Sequence, residues 1–342
     1  MEPLVLKTDS AVSQLFFTPS FDEMGEKLRA LLPENCRVVA IIDKKVDALY
    51  GHLFQYEKIT IFADEREKTM ETVLCIARRL MASGAGRDTF LLGIGGGITT
   101  DICGFVASIY KRGVGFGFVP TTLLSMVDAA IGGKNGVNVD GFKNMLGTIN
   151  QPKFVTVCIE FLSSFSKSEI CMFVPEILKI RLVSGKSIEE VSGFFANADF
   201  PKSLEEERLL GYIREAVAVK CDVVERDEKD SDIRRVLNLG HTFAHALERC
   251  SENSLSHGEA VGIGLVLAAK NGGAERMAQH IATVLNQLEL PSRVPDYLEI
   301  EELNHAVLQD KKNSGTHIKL VVIDEAGKIV FRQKSVDELF WK

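Results

Sequence analysis

Asp88–Gly93, DTFLLG, runs without a break into Ile94-Gly95-Gly96-Gly97-Ile98-Thr99-Thr100-Asp101 and then into ICGFVASIYKR. A short apolar run, a glycine turn and an apolar helical stretch in direct succession constrain this part of the chain to an α/β layer. The same succession is the physical recipe for holding a pyrophosphate. Glycines let the backbone come close, and the helix N-terminus presents N–H groups at its positive end. The GxGxxG spacing is begun by Gly93-Ile94-Gly95 but broken by Ile98, and no acid follows about 20 residues later. The acid at a strand end is Asp43, upstream. A dinucleotide would therefore be held in a variant manner, and a tight turn without a ligand fits the same residues.

Other runs place strands around this one. Arg37–Asp43 (RVVAIID) has the pattern of a buried parallel strand. Lys58–Phe62 (KITIF) reads as another, followed by a helix from about Glu67 to Met81, and Lys153–Ile159 (KFVTVCI) closes this half. Phe116–Gly147 is dense in Gly, Thr, Asp and Lys yet interleaved with apolar residues; Lys134 follows Gly132-Gly133, and Lys143 and Asn144 follow Gly141. Glycines beside cations point to backbone approaching an anion; a solvated loop is the plainer alternative, disfavoured by Asp128, Lys134 and Lys143 in so apolar a segment. From Phe161 onward the period becomes helical, over Ser187–Asn197, Ser203–Val224 and the histidine-bearing stretch, with Gly185 and Gly272-Gly273 as stops. The 342 residues accommodate two domains, expected to meet near residue 160 with a ligand cleft between them. A tail hairpin is expected from His317–Ile323 and Lys328–Arg332, turning at Asp324-Glu325-Ala326-Gly327.

Apolar residues make up 46% and charged residues 25% of the chain, as in ordinary soluble domains. The net charge of −7 argues against a general affinity for nucleic acid or anionic membrane. No apolar run reaches about 18 residues, and no charged-then-apolar leader opens the sequence. The seven cysteines (Cys36, Cys75, Cys103, Cys158, Cys171, Cys221, Cys250) are scattered and never CxxC, which points to reduced thiols and a cytoplasmic protein.

Val236–Glu259 carries His241, His245 and His257. His241 and His245 are four apart and share a helix face. Ser256 can cap a second helix, GEAVGIGLVLAAK, which places His257 at the mouth of an apolar element. A third helix can start at Pro175-Glu176, leaving Glu176 near an N-terminus. Two imidazoles and a carboxylate with an open fourth position make a common catalytic zinc site. Spacing alone does not say which histidines bind, and a satisfied histidine pair without metal is the bland alternative. A zinc-protease HExxH is disfavoured, because Thr242 stands where its Glu is needed.

GIGGGITTDICGFVASIYKRG, VPTTLLSMVDAAIGGKNGVN, KNMLGTINQP, PEILK, LNLGHTFAHALE, SHGEAVGIG and DKK occur in that order between Asp43 and Lys312. The ordered set resembles the 3-dehydroquinate synthases, within a wider group of sugar-phosphate cyclases and, more distantly, polyol and glycerol-1-phosphate dehydrogenases. The resemblance implies an α/β chain: a Rossmann-like NAD-binding domain over 1–160 and a mostly α-helical metal- and substrate-binding domain over 161–342. It also implies NAD, zinc or cobalt, a homodimer, and a carbon–oxygen lyase acting on 3-deoxy-D-arabino-heptulosonate 7-phosphate. NAD would take a hydride and return it, with phosphate elimination between and an aldol closure after. An NAD-dependent polyol or glycerol-1-phosphate dehydrogenase, or a cyclase for another sugar phosphate, is the alternative; a cationic set has nothing to pair with on a neutral polyol.

Carried over residue by residue, the resemblance makes Glu176, His241 and His257 the metal ligands and His245 a proton-transfer group near the phosphate. Asp43, Glu65 and Lys68 match adenosine-side contacts, and Gly96, Gly97 and Asp101 the pyrophosphate turn. Thr121, Thr122, Asp128, Lys134 and Lys143 match inner cofactor positions, and Phe161 to Ser164 a further NAD contact. Asn144, Lys179, Lys220, Arg234, Asn238 and one of Lys311 or Lys312 match substrate positions, with Lys134 beside them. Arg112 matches an arginine reaching in from a partner subunit. The chain departs from the family pattern at Phe173-Val174-Pro175, Ile180-Arg181, Ala244, Asn135 and Ile149-Asn150.

Overall fold

The computed structural model describes residues 1–140, 142–197, 206–252, 254–308 and 317–342. In chain order the first elements are β1 (Leu4–Lys7), β2 (Val12–Thr18), α1 (Phe21–Leu31), β3 (Val38–Asp43), α2 (Lys44–Tyr50), β4 (Glu57–Ile61), α3 (Met70–Ala82), β5 (Phe90–Gly95) and α4 (Gly97–Ile109). There follow β6 (Gly115–Pro120), β7 (Lys134–Val139), β8 (Phe142–Ile149), β9 (Phe154–Cys158), α5 (Lys167–Cys171), α6 (Val174–Val183), α7 (Glu189–Ala196) and α8 (Glu206–Arg226). The last are α9 (His241–Cys250), α10 (His257–Gly272), α11 (Glu275–Gln287), α12 (Ile300–Leu308), β10 (His317–Ile323) and β11 (Ile329–Ser335). The chain divides into two compact units, residues 1–164 with 205–229 and residues 165–204 with 230–342.

Unit 1 is a seven-stranded sheet in the order β1-β2-β9-β6-β5-β3-β4. Every neighbouring pair is parallel except β1 with β2. The central strands read as continuous apolar runs because both faces are covered: Val39 to Ile42 on β3 and all of β5 are buried. Each such side chain contributes roughly 1.5–3 kcal/mol by leaving water. From β3 the chain goes to β4 on one side, then crosses back to β5 on the other. The carboxyl ends of β3 and β5 therefore flank a topological switch point, where open α/β sheets bind ligands.

The expected strands are present within a residue or two. The helix expected from Glu67 starts at Met70, because Thr69 Oγ1 caps it by accepting from Thr72 N at 3.3 Å. Asp64 to Glu67 turn separately as a 3₁₀ segment. The stretch Phe116–Gly147 is β6, a π-helical turn over Ser125–Ala129, and an antiparallel hairpin of β7 and β8. Its hydrophobic period is masked by glycines, which is why sequence alone names no strands there. Helix α8 belongs to unit 1, packed on β1 and the π turn.

Among the described residues, unit 2 is helical but for one hairpin. Helix α10 is buried almost throughout and packs on α6, α9, α11 and β10. The β10–β11 hairpin turns at Asp324–Gly327, where Gly327 takes φ +77° and its N–H donates to Asp324 O at 2.8 Å. Its second strand runs on to Ser335, past the expected Arg332.

Candidate metal and cofactor sites

Three helix beginnings bring the ligand candidates of unit 2 together. Ser256 closes a capping box with Glu259, which makes His257 the first residue of α10. Pro175 sits in the first turn of α6, where a missing N–H costs nothing, and Glu176 follows it. Gly240, at φ +78°, starts α9 against the backbone of Gly264; a Cβ on Gly264 would lie 2.2 Å from Gly240 O. A Cβ on Gly258 would lie 1.4 Å from Met172 O, so α10 begins in backbone contact with the turn before α6.

Glu176 Oε1 lies 3.1 Å from His257 Nε2 and 3.3 Å from His241 Nε2. One ligand atom from each of the three residues falls within 4.8 Å of the other two. Glu176 is fully buried, and the ammonium of Lys179, one turn along α6 and equally buried, pairs with its Oε2. His245 lies outside this triad and is exposed, its ring 5.7 Å from that of His241.

Burial alone would push the Glu176 carboxyl up, but Lys179 and then the two imidazoles outweigh it and hold it well below its usual range. His241 is pushed down, by burial first and by Lys179 second. His257 is raised to about 10: burial opposes this, but its contacts with Glu176 and Glu248 prevail. The residues fit a divalent cation. His241 Nδ1 faces Leu239 O at 3.2 Å while Nε2 faces Glu176 Oε1. A neutral ring has one proton, so one of these contacts sets lone pair against lone pair. A cation between Nε2 and the carboxylate removes the conflict.

Unit 1 gathers the other candidates. Asp43 ends β3 and caps α2 by accepting from Lys45 N at 3.3 Å. Ile42 pairs with Ile94, so Asp43 stands beside the turn Gly95-Gly96-Gly97. Gly96 begins α4 with no side-chain cap, leaving first-turn N–H groups to meet an anion. Thr121 N donates to Gly95 O at 2.9 Å, and the Thr122 methyl would lie 3.1 Å from a Cβ on Gly96. Lys68 Nζ donates to Asp101 Oδ2 at 2.5 Å and to Asn144 Oδ1 at 2.7 Å, joining residues expected to serve cofactor and substrate separately. Burial pushes Asp101 up more than Lys68 pulls it down. Glu65 Oε1 accepts from Asn138 Nδ2 at 2.8 Å. Lys220, on α8, pairs with the Asp128 carboxylate and donates to Asp128 O at 2.7 Å.

Lys134, Lys143 and Arg112 are exposed in unit 1, as is Ser164, whose Oγ donates to Phe161 O at 2.9 Å. Phe161 itself is buried edge-on against Phe21 and Tyr50, so only its backbone can meet a cofactor. In unit 2 Arg234 is buried and Asn238 half-buried. Lys311 and Lys312 lie outside the described residues.

Three of the residues that depart from the family pattern have local partners. Asn135 Nδ2 donates to the backbone carbonyls of Gly133 at 2.8 Å and Asn150 at 3.0 Å, and Asn150 Nδ2 donates to Ser108 Oγ at 3.0 Å. Arg181 donates to Ser187 O and meets Glu190 at 3.6 Å. Sequence reasoning missed Glu248, the carboxylate at His257 Nδ1; the available signal was its place seven residues after His241 on one helix face.

Residues 58–172 match the family profile "3-dehydroquinate synthase N-terminal" and residues 174–313 the profile "3-dehydroquinate synthase C-terminal". The chain is 39% identical over 322 residues to the 3-dehydroquinate synthase of Pyrococcus abyssi, covering 93% of each. It is 36% identical to that of Chlamydia caviae, over 79% of this chain and 76% of the relative. Among solved structures, a 2-epi-5-epi-valiolone synthase from Streptomyces hygroscopicus with NAD⁺ and Zn²⁺ bound superposes with TM-score 0.80 at 26% identity, covering 95% of this chain and 94% of its own. A 2-deoxy-scyllo-inosose synthase complexed with carbaglucose-6-phosphate, NAD⁺ and Co²⁺ gives TM-score 0.83 at 22% identity, covering 98% and 95%, a likeness of fold.

Proposed function

The chain belongs to the 3-dehydroquinate synthase family, and from that premise we propose which of its residues carry the reaction. The reaction is the NAD- and metal-dependent conversion of 3-deoxy-D-arabino-heptulosonate 7-phosphate to 3-dehydroquinate and phosphate, the second step of the shikimate pathway toward chorismate and the aromatic amino acids. The observation that carries the reading is the convergence of Glu176, His241 and His257 on one point. When bound, NAD supplies a reversible hydride acceptor and zinc or cobalt polarises the oxygens it touches.

Glu176, His241 and His257 hold the cation. Lys179 keeps the Glu176 carboxylate ionised and offers a further cation to the substrate's anionic groups. His245, exposed beside His241, moves a proton at the leaving phosphate. Arg234, Asn238, Lys220, Asn144, Lys134 and one of Lys311 or Lys312 bind the carboxylate and phosphate. Asp43, Glu65, Lys68, Gly96, Gly97, Asp101, Thr121, Thr122, Asp128, Lys143 and residues Phe161 to Ser164 hold NAD. NAD thus belongs chiefly to residues 1–160, with a further contact from Phe161 to Ser164, and metal and most substrate contacts to 161–342. A homodimer completes the site through Arg112; in support, Arg112 is exposed and β8 presents half-exposed apolar side chains. The setting is cytoplasmic, in keeping with seven free cysteines. No described helix is long and apolar enough to cross a membrane.

The test is incubation of the purified chain with the heptulosonate phosphate, NAD and zinc, following phosphate and nicotinamide absorbance together. Phosphate is expected without net NADH. Accumulation of NADH in step with product would instead mean a dehydrogenase.

A further inference from the structure

His257 has a carboxylate at each ring nitrogen. Nε2 lies 3.1 Å from Glu176 Oε1, on α6, and Nδ1 lies 3.3 Å from Glu248 Oε1, on α9. Glu248 is only 5% exposed. It stands two turns beyond His241 on one face of α9, so the helix that supplies one imidazole also supplies the carboxylate behind the other. The two rings are backed differently: His241 Nδ1 faces a backbone carbonyl, that of Leu239.

We infer that Glu248 is a positioning residue. It accepts the Nδ1–H of His257, and so fixes the tautomer and ring orientation that present Nε2 to the divalent cation. This rests on the ligand set proposed above. An imidazole offers a lone pair at one nitrogen only while its proton stays on the other. A carboxylate holds that proton more firmly than water does and raises the basicity of the ligating nitrogen. The backbone cannot substitute by sliding, because Gly258 already touches Met172 O.

The metal-free full chain is titrated with Co²⁺ in competition with a chromophoric chelator, and the visible absorption of the bound ion is recorded. Glu248→Ala is expected to bind Co²⁺ about 10–100-fold more weakly, with an altered spectrum. Glu248→Gln keeps a neutral acceptor in place and is expected to lose affinity only about 3–10-fold, with the spectrum largely restored. Folding is checked by far-UV circular dichroism and NAD binding; if the alanine variant does not fold, the glutamine variant decides. Either folded variant binding Co²⁺ with wild-type affinity and spectrum overturns the inference, even if its thermal midpoint falls, since that result means packing alone. Failure of the wild-type chain to bind Co²⁺, or wild-type binding by His241→Ala, overturns the ligand set itself and this inference with it.

Discussion

Glu176 is a charge without water, and its neighbours decide what it can do. With no cation its compensation comes from Lys179 and the imidazoles. Lys179→Met removes the nearest positive charge, and breaking a buried pair this way costs about 3–5 kcal/mol. A bound dication supplies the missing charge, so the drop in thermal midpoint is expected to be large in chelator and small with zinc. Equal drops would show that Lys179 does not serve the carboxylate. Glu176→Ala and His241→Ala are each expected to lose metal and activity together; elemental analysis finding full metal content in either would remove it from the ligand set. A different carboxylate gives a pH signature. Glu228 accepts from Ser10 Oγ at 2.6 Å and Gln151 Nε2 at 3.1 Å. Burial pushes it up, but these hydrogen bonds outweigh burial and hold it below its ordinary 4.5. A depressed folded pKa gives stability that is present above the ordinary value and lost as pH falls through the folded one. Glu228→Gln is therefore expected to cost about 1 kcal/mol at neutral pH. In urea melts that difference should close as pH drops below 4.5; a gap independent of pH would contradict the assignment.

At the scale of elements, α10 is positioned by backbone contact at both ends. Gly258 meets Met172 O at its start, and a Cβ on Gly272 would lie 1.7 Å from Ile323 O at its finish. The two glycines should fail differently. Gly258→Ala forces apart the α10 and α6 starts that bear His257 and Glu176, so metal affinity is expected to fall by about a hundredfold, the scale on which a small misplacement acts. Gly272→Ala parts α10 from β10, far along the helix from His257. It is expected to lower stability by about 3 kcal/mol while leaving Co²⁺ affinity near wild type. Titration of the folded variants separates them, and an unchanged affinity in Gly258→Ala would refute this account of the site. Local pattern made much of these elements readable: the β-branched run of β3, the glycine turn into α4 and the Ser256 cap all lie within a few residues of what they control. The β7–β8 hairpin was not readable, because Gly136 and Gly147 pack backbone to backbone and interrupt the alternation.

For the whole molecule, the proposed dimer draws its support from β8. Phe142, Met145, Leu146 and Ile149 are 46%, 45%, 45% and 41% exposed along one strand. An apolar strand left in water invites pairing or cover. The chain is expected to sediment as a dimer at micromolar concentration, and Met145→Glu with Leu146→Glu to shift it toward monomer. A wild-type monomer under those conditions would sink the dimer reading and with it the role of Arg112.

The sequence by itself determined the chemistry on offer: three imidazoles, a carboxylate at a helix start, a glycine turn after a strand, and an ordered set of motifs. These depend on residue type and short spacing, which the chain carries locally. Tertiary structure decided which donors meet. Spacing leaves open which histidines pair, and only the family resemblance singles out His257; in the structure His257 joins His241, and His245 stays outside. How closely α9 starts against α10 is set by Gly240 lying against Gly264. Glu248 comes to stand behind His257 only through the packing of α9 on α10. Convergence of this kind depends on backbones approaching across long sequence separations, and no short stretch of sequence encodes that distance.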